Sequence, residues 1–316
     1  MDKALSSAKP QSRLKPDPWS VTALMISLVV LAPIVAVGTL ALFPSENIWP
    51  HLLATTLPRY LGNTLVLMAG VGLLAALVGT GAAWLIARYE FPLARWFEWL
   101  LLLPLAVPAY VGAYALVDLL EYAGPVQTAL RAAFGWEGAR DYWFPEIRSL
   151  GSAIIVLAAA LYPYVYLLAR AAFHEQSGAS EEVAMSLGQG ALQRLRRIGL
   201  PLARPAVAAG TAIVMMEAVN DFGTVDYFAV QTLTTGIFST WLEGNNAGGA
   251  AQIACVVLLL VICLVTLEKI WRRKARFFNQ GGRHRAISRK RLRGGWALLA
   301  TLGCALPFTV GFMIPA

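Results

Sequence analysis

Charged side chains are scarce in this sequence. Asp, Glu, Lys and Arg make up 14% of the 316 residues, whereas hydrophobic residues make up 58%. The mean hydropathy is correspondingly high, at +0.60. An ordinary soluble domain carries about 25% charged residues. The composition therefore excludes a soluble globular domain and favours a membrane protein.

Cysteine is also sparse, and no pattern for binding nucleotides is present. The three cysteines, Cys255, Cys263 and Cys304, all lie in apolar runs. Cys255 and Cys263 would lie about 12 Å apart along a helix, which is too far for a disulfide. No spacing of Cys, His, Asp or Glu indicates a metal site. Because the sequence also lacks a G-x4-G-K-[S/T] loop, we expect the chain to bind no cofactor and to hydrolyse no nucleotide.

Long apolar runs dominate the sequence, and each has roughly the 20 residues that a membrane-spanning helix needs. The predicted spans are 19–43, 61–87, 97–120, 150–172, 206–230, 250–270 and 295–316. In the second span, Gly72/Ala76 and Gly79/Ala83 place small residues one turn apart, which favours close helix packing. The sequence therefore predicts an all-α polytopic membrane protein.

The 26 Lys and Arg residues are unevenly distributed along the chain. With a cytoplasmic N-terminus, 22 of them fall in inner segments and 4 in outer segments, as the positive-inside rule expects. Residues 1–18 are then a cytoplasmic tail, and residues 271–294 form a basic inner linker. The net charge of +8 thus indicates membrane topology and lipid headgroups rather than nucleic-acid binding.

One inner loop, over residues 180–201, contains a motif that resembles a known family. Its positions follow the pattern Glu-Ala-Ala-x3-Gly-x9-Ile-x-Leu-Pro, with Val183 in place of the first alanine. The matching residues are Glu182, Ala184, Gly188, Ile198, Leu200 and Pro201. Gly188 allows a sharp turn and close approach by another surface. The pattern is similar to the EAA loop of ABC importer membrane subunits, which implies that it docks an ABC ATPase subunit. An amphipathic loop on the membrane surface is the alternative.

A second resemblance narrows the family. Residues 220–228, Asn-Asp-Phe-Gly-Thr-Val-Asp-Tyr-Phe, and residues 104–111, Pro-Leu-Ala-Val-Pro-Ala-Tyr-Val, are similar to stretches of ferric-iron importer permeases. The resemblance implies the type I ABC importer permease fold in a bacterial inner membrane. It also implies ATP hydrolysis on a separate subunit and delivery of substrate by a periplasmic binding protein.

The same resemblance suggests how the chain is divided. Residues 19–270 would form a six-span permease half, and residues 295–316 would be the first span of a second half. Members of this family typically fuse two such halves. We therefore expect the sequence to be part of a longer permease, with the second half fused or separate. Pro104, Pro108 and Pro163 would be flexing points within the spans.

Besides Asp226, which would fall on the opposite face, the fifth span carries a group of polar residues: Glu217, Asn220, Asp221 and Thr224. On a continuous helix over 206–230 they would share one face, with Glu217 about 16 Å in, near the bilayer midplane. Carboxylates at this depth face the bundle interior or a water path. We therefore predict that the four residues line the substrate pathway. The alternative is that they pair with other helices or mark an early helix end.

The substrate is less clearly indicated than the family. Oxygen ligands suit a hard ion such as Fe3+, so we favour ferric iron, with a polyamine, thiamine or an oxyanion as alternatives. An ion-gradient transporter or channel is a different class of function. Inverted repeats would support that class, and we find no convincing internal repeat.

Overall fold

The structure is a computed structural model of the chain, and it describes residues 17–176, 183–273 and 289–316. Within these ranges the chain is helical except for connecting loops and one pair of two-residue strands. The helices are α1 (Pro18–Leu42), α2 (Trp49–Ala54), α3 (Leu57–Arg88), α4 (Ala94–Leu100), α5 (Ala109–Leu120), α6 (Pro125–Phe134), α7 (Leu150–Glu175), α8 (Ala191–Arg194), α9 (Leu200–Asn220), α10 (Gly223–Tyr227), α11 (Leu233–Phe238), α12 (Ala247–Arg273) and α13 (Gly295–Phe308). A 3-10 turn covers Leu103–Ala106, and π-helical turns cover Leu195–Gly199, Ser239–Glu243 and Thr309–Met313.

Each predicted span corresponds to at least one helix, although the third is bent and the fifth ends early. In the described ranges, six helices are long and apolar enough to cross a membrane, and a bent pair, Ala94–Ala106 with Ala109–Phe134, adds a seventh. The all-α polytopic prediction is therefore confirmed. The third span is bent by 92° rather than merely kinked. Val107 is extended there, as expected for a residue that precedes a proline, and Pro108 begins the new direction.

The centre of the bundle is formed by α3, α7 and α9, which pack against one another. The predicted close packing of α3 is confirmed at Gly79, where a β-carbon would lie 2.8 Å from the carbonyl oxygen of Tyr162 on α7. Gly72 likewise leaves room for Met215 of α9. In contrast, Pro163 lies inside α7 without interrupting it. The predicted flexing point at Pro163 therefore does not correspond to a helix break.

Two spans lie at the periphery of this centre. Helix α1 packs against α12 and has no buried residue, so its apolar side chains are placed to face lipid. Helix α13 packs against α3 and α4, and the turn that follows it brings Gly311 against Pro104 and the backbone of Ala159. The seventh span therefore contacts the rest of the bundle near the bend of the third span.

The segments that the charge distribution assigns to the inner side meet at one end of the bundle. A parallel strand pair joins Tyr89–Glu90 to Lys290–Arg291. Beside it, Glu98 forms ion pairs with Arg170 at 3.0 Å and with Arg289 at 2.6 Å. These contacts join the first inner loop, the end of α7 and the segment that leads into α13, and so place them on one face.

Candidate functional site

The loop that carries the motif begins, in its described part, with a helical turn at residues 183–186. Gly188 N–H donates to the carbonyl of Met185, and Gln189 N–H donates to that of Ala184, each at 3.0 Å. With Gly188 at φ +74°, this is a Schellman ending, which requires a left-handed residue. Gly188 is needed for its backbone conformation, since a β-carbon there would meet nothing within 4 Å. Glu182 lies outside the described residues.

The second part of the loop is seated against the ends of α3 and α7. Gln176, just after α7, accepts a hydrogen bond from Arg88 at 2.7 Å and donates to the carbonyl of Gly199 at 3.0 Å. A β-carbon on Gly199 would lie 2.5 Å from the ring of Trp84. The Arg88 guanidinium lies 5.1 Å from the centre of that ring. Gly199 lies between Ile198 and Leu200 of the motif, so the end of the motif is packed against the ends of α3 and α7.

The first turn of this loop exposes apolar side chains, whereas Arg196 and Arg197 are exposed further along it. Ala184 is buried, whereas Val183, Met185 and Leu187 are 58%, 46% and 72% exposed. Exposed apolar side chains beside a turn of this kind are compatible with a docking site. Ile198, Leu200 and Pro201 are half-buried and lead into α9.

At its other end, α9 stops earlier than the sequence analysis predicts. The helix ends at Asn220, so the expected continuous helix over 206–230 is wrong. Asp221 Oδ1 accepts hydrogen bonds from the backbone N–H groups of Thr224 at 3.0 Å and Val225 at 3.2 Å. Its Oδ2 accepts from the Thr224 hydroxyl at 3.1 Å. Asp side chains compete with helix in this way, and here Asp221 starts the short helix α10.

A cavity of about 230 Å3 lies where α9 ends, and it brings Glu217 and Asp221 together. Its other walls come from the bend of the third span and from one face of α7; they are formed by Pro104, Leu105, Val107, Pro108, Ala109, Leu157, Ala160, Leu161 and Tyr164. These α7 residues lie near the middle of the helix Leu150–Glu175. The cavity therefore lies beside the middle of the α7 span, while Glu217 lies close to the end of α9.

Two of the four predicted pathway residues do not line this cavity. Thr224 is fully buried and hydrogen-bonded to Asp221. Asn220 is exposed on the surface of the described chain. Conversely, Tyr164 and Leu157 form part of the wall and were missed. They lie seven residues apart on α7, so helical periodicity places them on one face, but the sequence alone does not show what that face meets.

The cavity has the construction typical of transporter sites. Broken helices are tolerated at membrane depth where they line a cavity, and substrate sites often form at such discontinuities. Here the third span breaks at Val107–Pro108 and the fifth ends at Asn220, and both breaks open onto the same space. The arrangement can hold a small polar solute between carboxylates and an apolar wall.

Comparison with known proteins reveals several transport permeases. The chain is 26% identical over 221 residues to the Fe(3+)-transport system permease protein FbpB 2 of Haemophilus influenzae, covering 70% of this chain and 39% of that protein. It is 26% identical over 271 residues to a probable molybdenum ABC transporter permease of Haloferax volcanii, covering 81% and 91%. It is 27% identical over 206 residues to the sulfate transport system permease protein CysT of Salmonella typhimurium, covering 61% and 69%. The chain thus spans well under half of the Haemophilus permease.

A solved structure shares the fold. A bacterial alginate ABC transporter, in complex with a periplasmic protein bound to alginate pentasaccharide, matches with a TM-score of 0.64 at 15% identity, covering 82% of this chain and 96% of that one. The family model for the binding-protein-dependent transport system inner membrane component matches residues 75–277. That range includes the motif loop and both carboxylates of the cavity. The chain therefore belongs to this family of multi-pass inner-membrane transport components.

Proposed function

We propose that this chain supplies one membrane half of an ATP-driven importer for ferric iron. The observation that carries the proposal is the pair of carboxylates, Glu217 and Asp221, in the mid-span cavity. Both are acidic, and oxygen donors are the ligands that hard cations prefer. An oxyanion such as sulfate or molybdate would be repelled by the same pair. The Haemophilus Fe(3+) permease is among the similar proteins, beside molybdenum and sulfate permeases of about the same identity, so the choice of iron rests on the carboxylates.

The motif loop would couple the cavity to the energy source. Its exposed apolar residues would dock on a separate ABC ATPase subunit, which would bind the ATP. Residues Glu182, Ala184, Gly188, Ile198, Leu200 and Pro201 would form this docking element. A periplasmic binding protein would deliver iron at the opposite face, and the N-terminus would then lie in the cytoplasm.

A second permease half would close the open side of the cavity. Glu217 and Asn220 are exposed in the described chain, and polar groups at this depth avoid lipid because their burial there is costly. A partner half, fused or separate, would cover them. Residues 19–270 would then form the first half and residues 295–316 the first span of the second.

The test is uptake by the complete permease, reconstituted in proteoliposomes with its ATPase and binding protein. We expect ATP-dependent uptake of radioactive ferric iron to exceed that of sulfate or molybdate. Glu217→Gln should reduce iron uptake about tenfold, which corresponds to about 1.4 kcal/mol. Glu243→Gln, at an exposed site outside the cavity, serves as the matched control. Uptake of an oxyanion in preference to iron would overturn the assignment of substrate.

A further inference from the structure

Arg148 joins three elements at the end of the bundle that lies away from the docking loop. It stands two residues before α7 begins. Its Nε donates to Glu121 Oε1 at 3.1 Å, and its Nη1 donates to the carbonyl of Tyr227 at 2.8 Å. The guanidinium also lies 5.1 Å from the centre of the Tyr227 ring. One side chain therefore holds two partners from distant parts of the sequence.

Each of these partners stands at the end of an element that starts at the cavity. Helix α5 begins at Ala109, a cavity residue, and ends just before Glu121. Helix α10 is started by the Asp221 carboxylate and ends at Tyr227. Arg148 thus ties together α5, α7 and α10 at their ends remote from the cavity, which α5 and α7 line and which α10 reaches only through Asp221.

Helices α5 and α10 are also in direct contact with each other. The rings of Tyr114 on α5 and Tyr227 on α10 lie 5.9 Å apart. A β-carbon on Gly223 would lie 3.1 Å from Cβ of Tyr110 on α5. Movement of α10 away from α5 would therefore shift Asp221, which lines the cavity.

The contacts of Arg148 are suited to being broken and remade. The side chains of Arg148 and Glu121 are 42% and 50% exposed, so water can replace their ion pair at little cost. Arginine can hold a carboxylate, a carbonyl and a ring face together because its guanidinium is planar and has five N–H donors.

We propose that Arg148 is a positioning residue that acts as a latch, holding α10 against α5 and α7 and so closing the cavity on the side away from the docking loop. The proposal rests on the assignment of the cavity as the substrate pathway. Docking of a partner on that side would release the latch, and solute would then enter beside Asp221.

The rate at which a reagent labels a cysteine in the cavity wall tests whether the latch closes the cavity, and this test needs no substrate. In the complete complex, with Cys255, Cys263 and Cys304 replaced by serine, Ala160→Cys places one thiol in the cavity wall. A membrane-impermeant cationic methanethiosulfonate is added to the face that carries residues 121–149. We expect Arg148→Ala to increase the labelling rate about fivefold, which corresponds to about 1 kcal/mol.

Three further variants show which contact of Arg148 is responsible for a change in the labelling rate. Arg148→Lys should give an intermediate rate, because lysine keeps an ion pair with Glu121 but cannot reach both partners in the same way. Glu121→Gln should raise the rate less than Arg148→Ala, since the bond to Tyr227 remains. Arg140→Ala, at an exposed arginine of the same segment, should leave the rate unchanged. A purely structural role for Arg148 would lower the yield of complex without faster labelling of the assembled fraction.

The possible outcomes distinguish failure of the latch proposal from failure of the substrate assignment. Faster labelling in Arg148→Ala supports the latch even if wild-type complex transports no iron, in which case only the substrate assignment fails. Unchanged labelling of assembled Arg148→Ala overturns the latch even if iron uptake is normal. If Arg148→Ala does not assemble, unchanged labelling in both Arg148→Lys and Glu121→Gln overturns it.

Discussion

The motif loop and the cavity are built in opposite ways. The described part of the loop, residues 183–201, comes from one stretch of sequence and is shaped by local bonds such as those of Gly188 and Gln189 to the turn before them. The cavity is assembled from three spans, with walls at residues 104–109, 157–164 and 217–221. A site formed by one stretch of the chain can be recognised in the sequence as a motif. A site formed by distant spans appears in the sequence only as isolated polar residues and prolines.

The largest expected effect comes from the local element. Gly188→Val places a β-branched residue at φ +74°, where such residues are strongly disfavoured. The strain should cost about 1–3 kcal/mol and unfold the Schellman turn. We expect ATP-dependent uptake by the reconstituted complex to fall at least about tenfold, with ATP hydrolysis no longer coupled to transport.

Gly190 provides the matched control for Gly188. It lies two residues further along at φ −67°, and a β-carbon there would meet nothing within 4 Å. Gly190→Ala should therefore change stability by no more than about 0.5 kcal/mol. Normal uptake by Gly188→Val at equal assembly would show that this turn is not needed for docking.

The next largest effect tests whether Asp221 serves the pathway or only the fold. Asp221→Asn keeps an oxygen that can accept from the N–H groups of Thr224 and Val225, but it removes the charge. If the carboxylate contacts a passing cation, iron uptake should fall about fivefold, which corresponds to about 1 kcal/mol, while assembly stays normal. Asp226→Asn changes an exposed carboxylate on the same short helix and should have little effect.

Thr224→Val tests the structural role of Asp221 without changing Asp221 itself. It removes the hydroxyl that donates to Asp221 at a fully buried position, and it leaves the charge in place. A structural role predicts that Thr224→Val lowers both assembly and uptake while Asp221→Asn does not affect uptake of the assembled complex. That result would remove Asp221 from the pathway.

The contrast between the two regions also explains what the sequence could predict. Apolar length was sufficient for the seven spans, and motif spacing was sufficient for the family. The end of α9 was misplaced because its apolar pattern continues past Asn220, although the Asn220-Asp221 pair followed by Gly223 is a local signal for a turn. Pro104 and Pro108 indicated a flexing point in the third span. The size of the bend depends on tertiary contacts, such as Gly311 against Pro104, and sequence does not supply these.

The smallest effect on uptake is expected where the local loop meets the bundle, at Gly199. A β-carbon there would lie 2.5 Å from the Trp84 ring, and Trp84 is itself held edge-on by Phe173, with ring centres 5.2 Å apart. Because the ring cannot easily move, Gly199→Ala should cost about 1–3 kcal/mol by overpacking. A thermal shift of the purified complex should show a lower Tm, with uptake reduced less than in the preceding variants.

Gly81→Ala, on the same helix as Trp84 and facing open space, should be neutral or stabilising because alanine favours helix. In the double variant, Trp84→Phe should recover part of the loss, since the smaller ring gives the new methyl group room. A Gly199→Ala complex as stable as Gly81→Ala would mean that the docking loop does not depend on this contact.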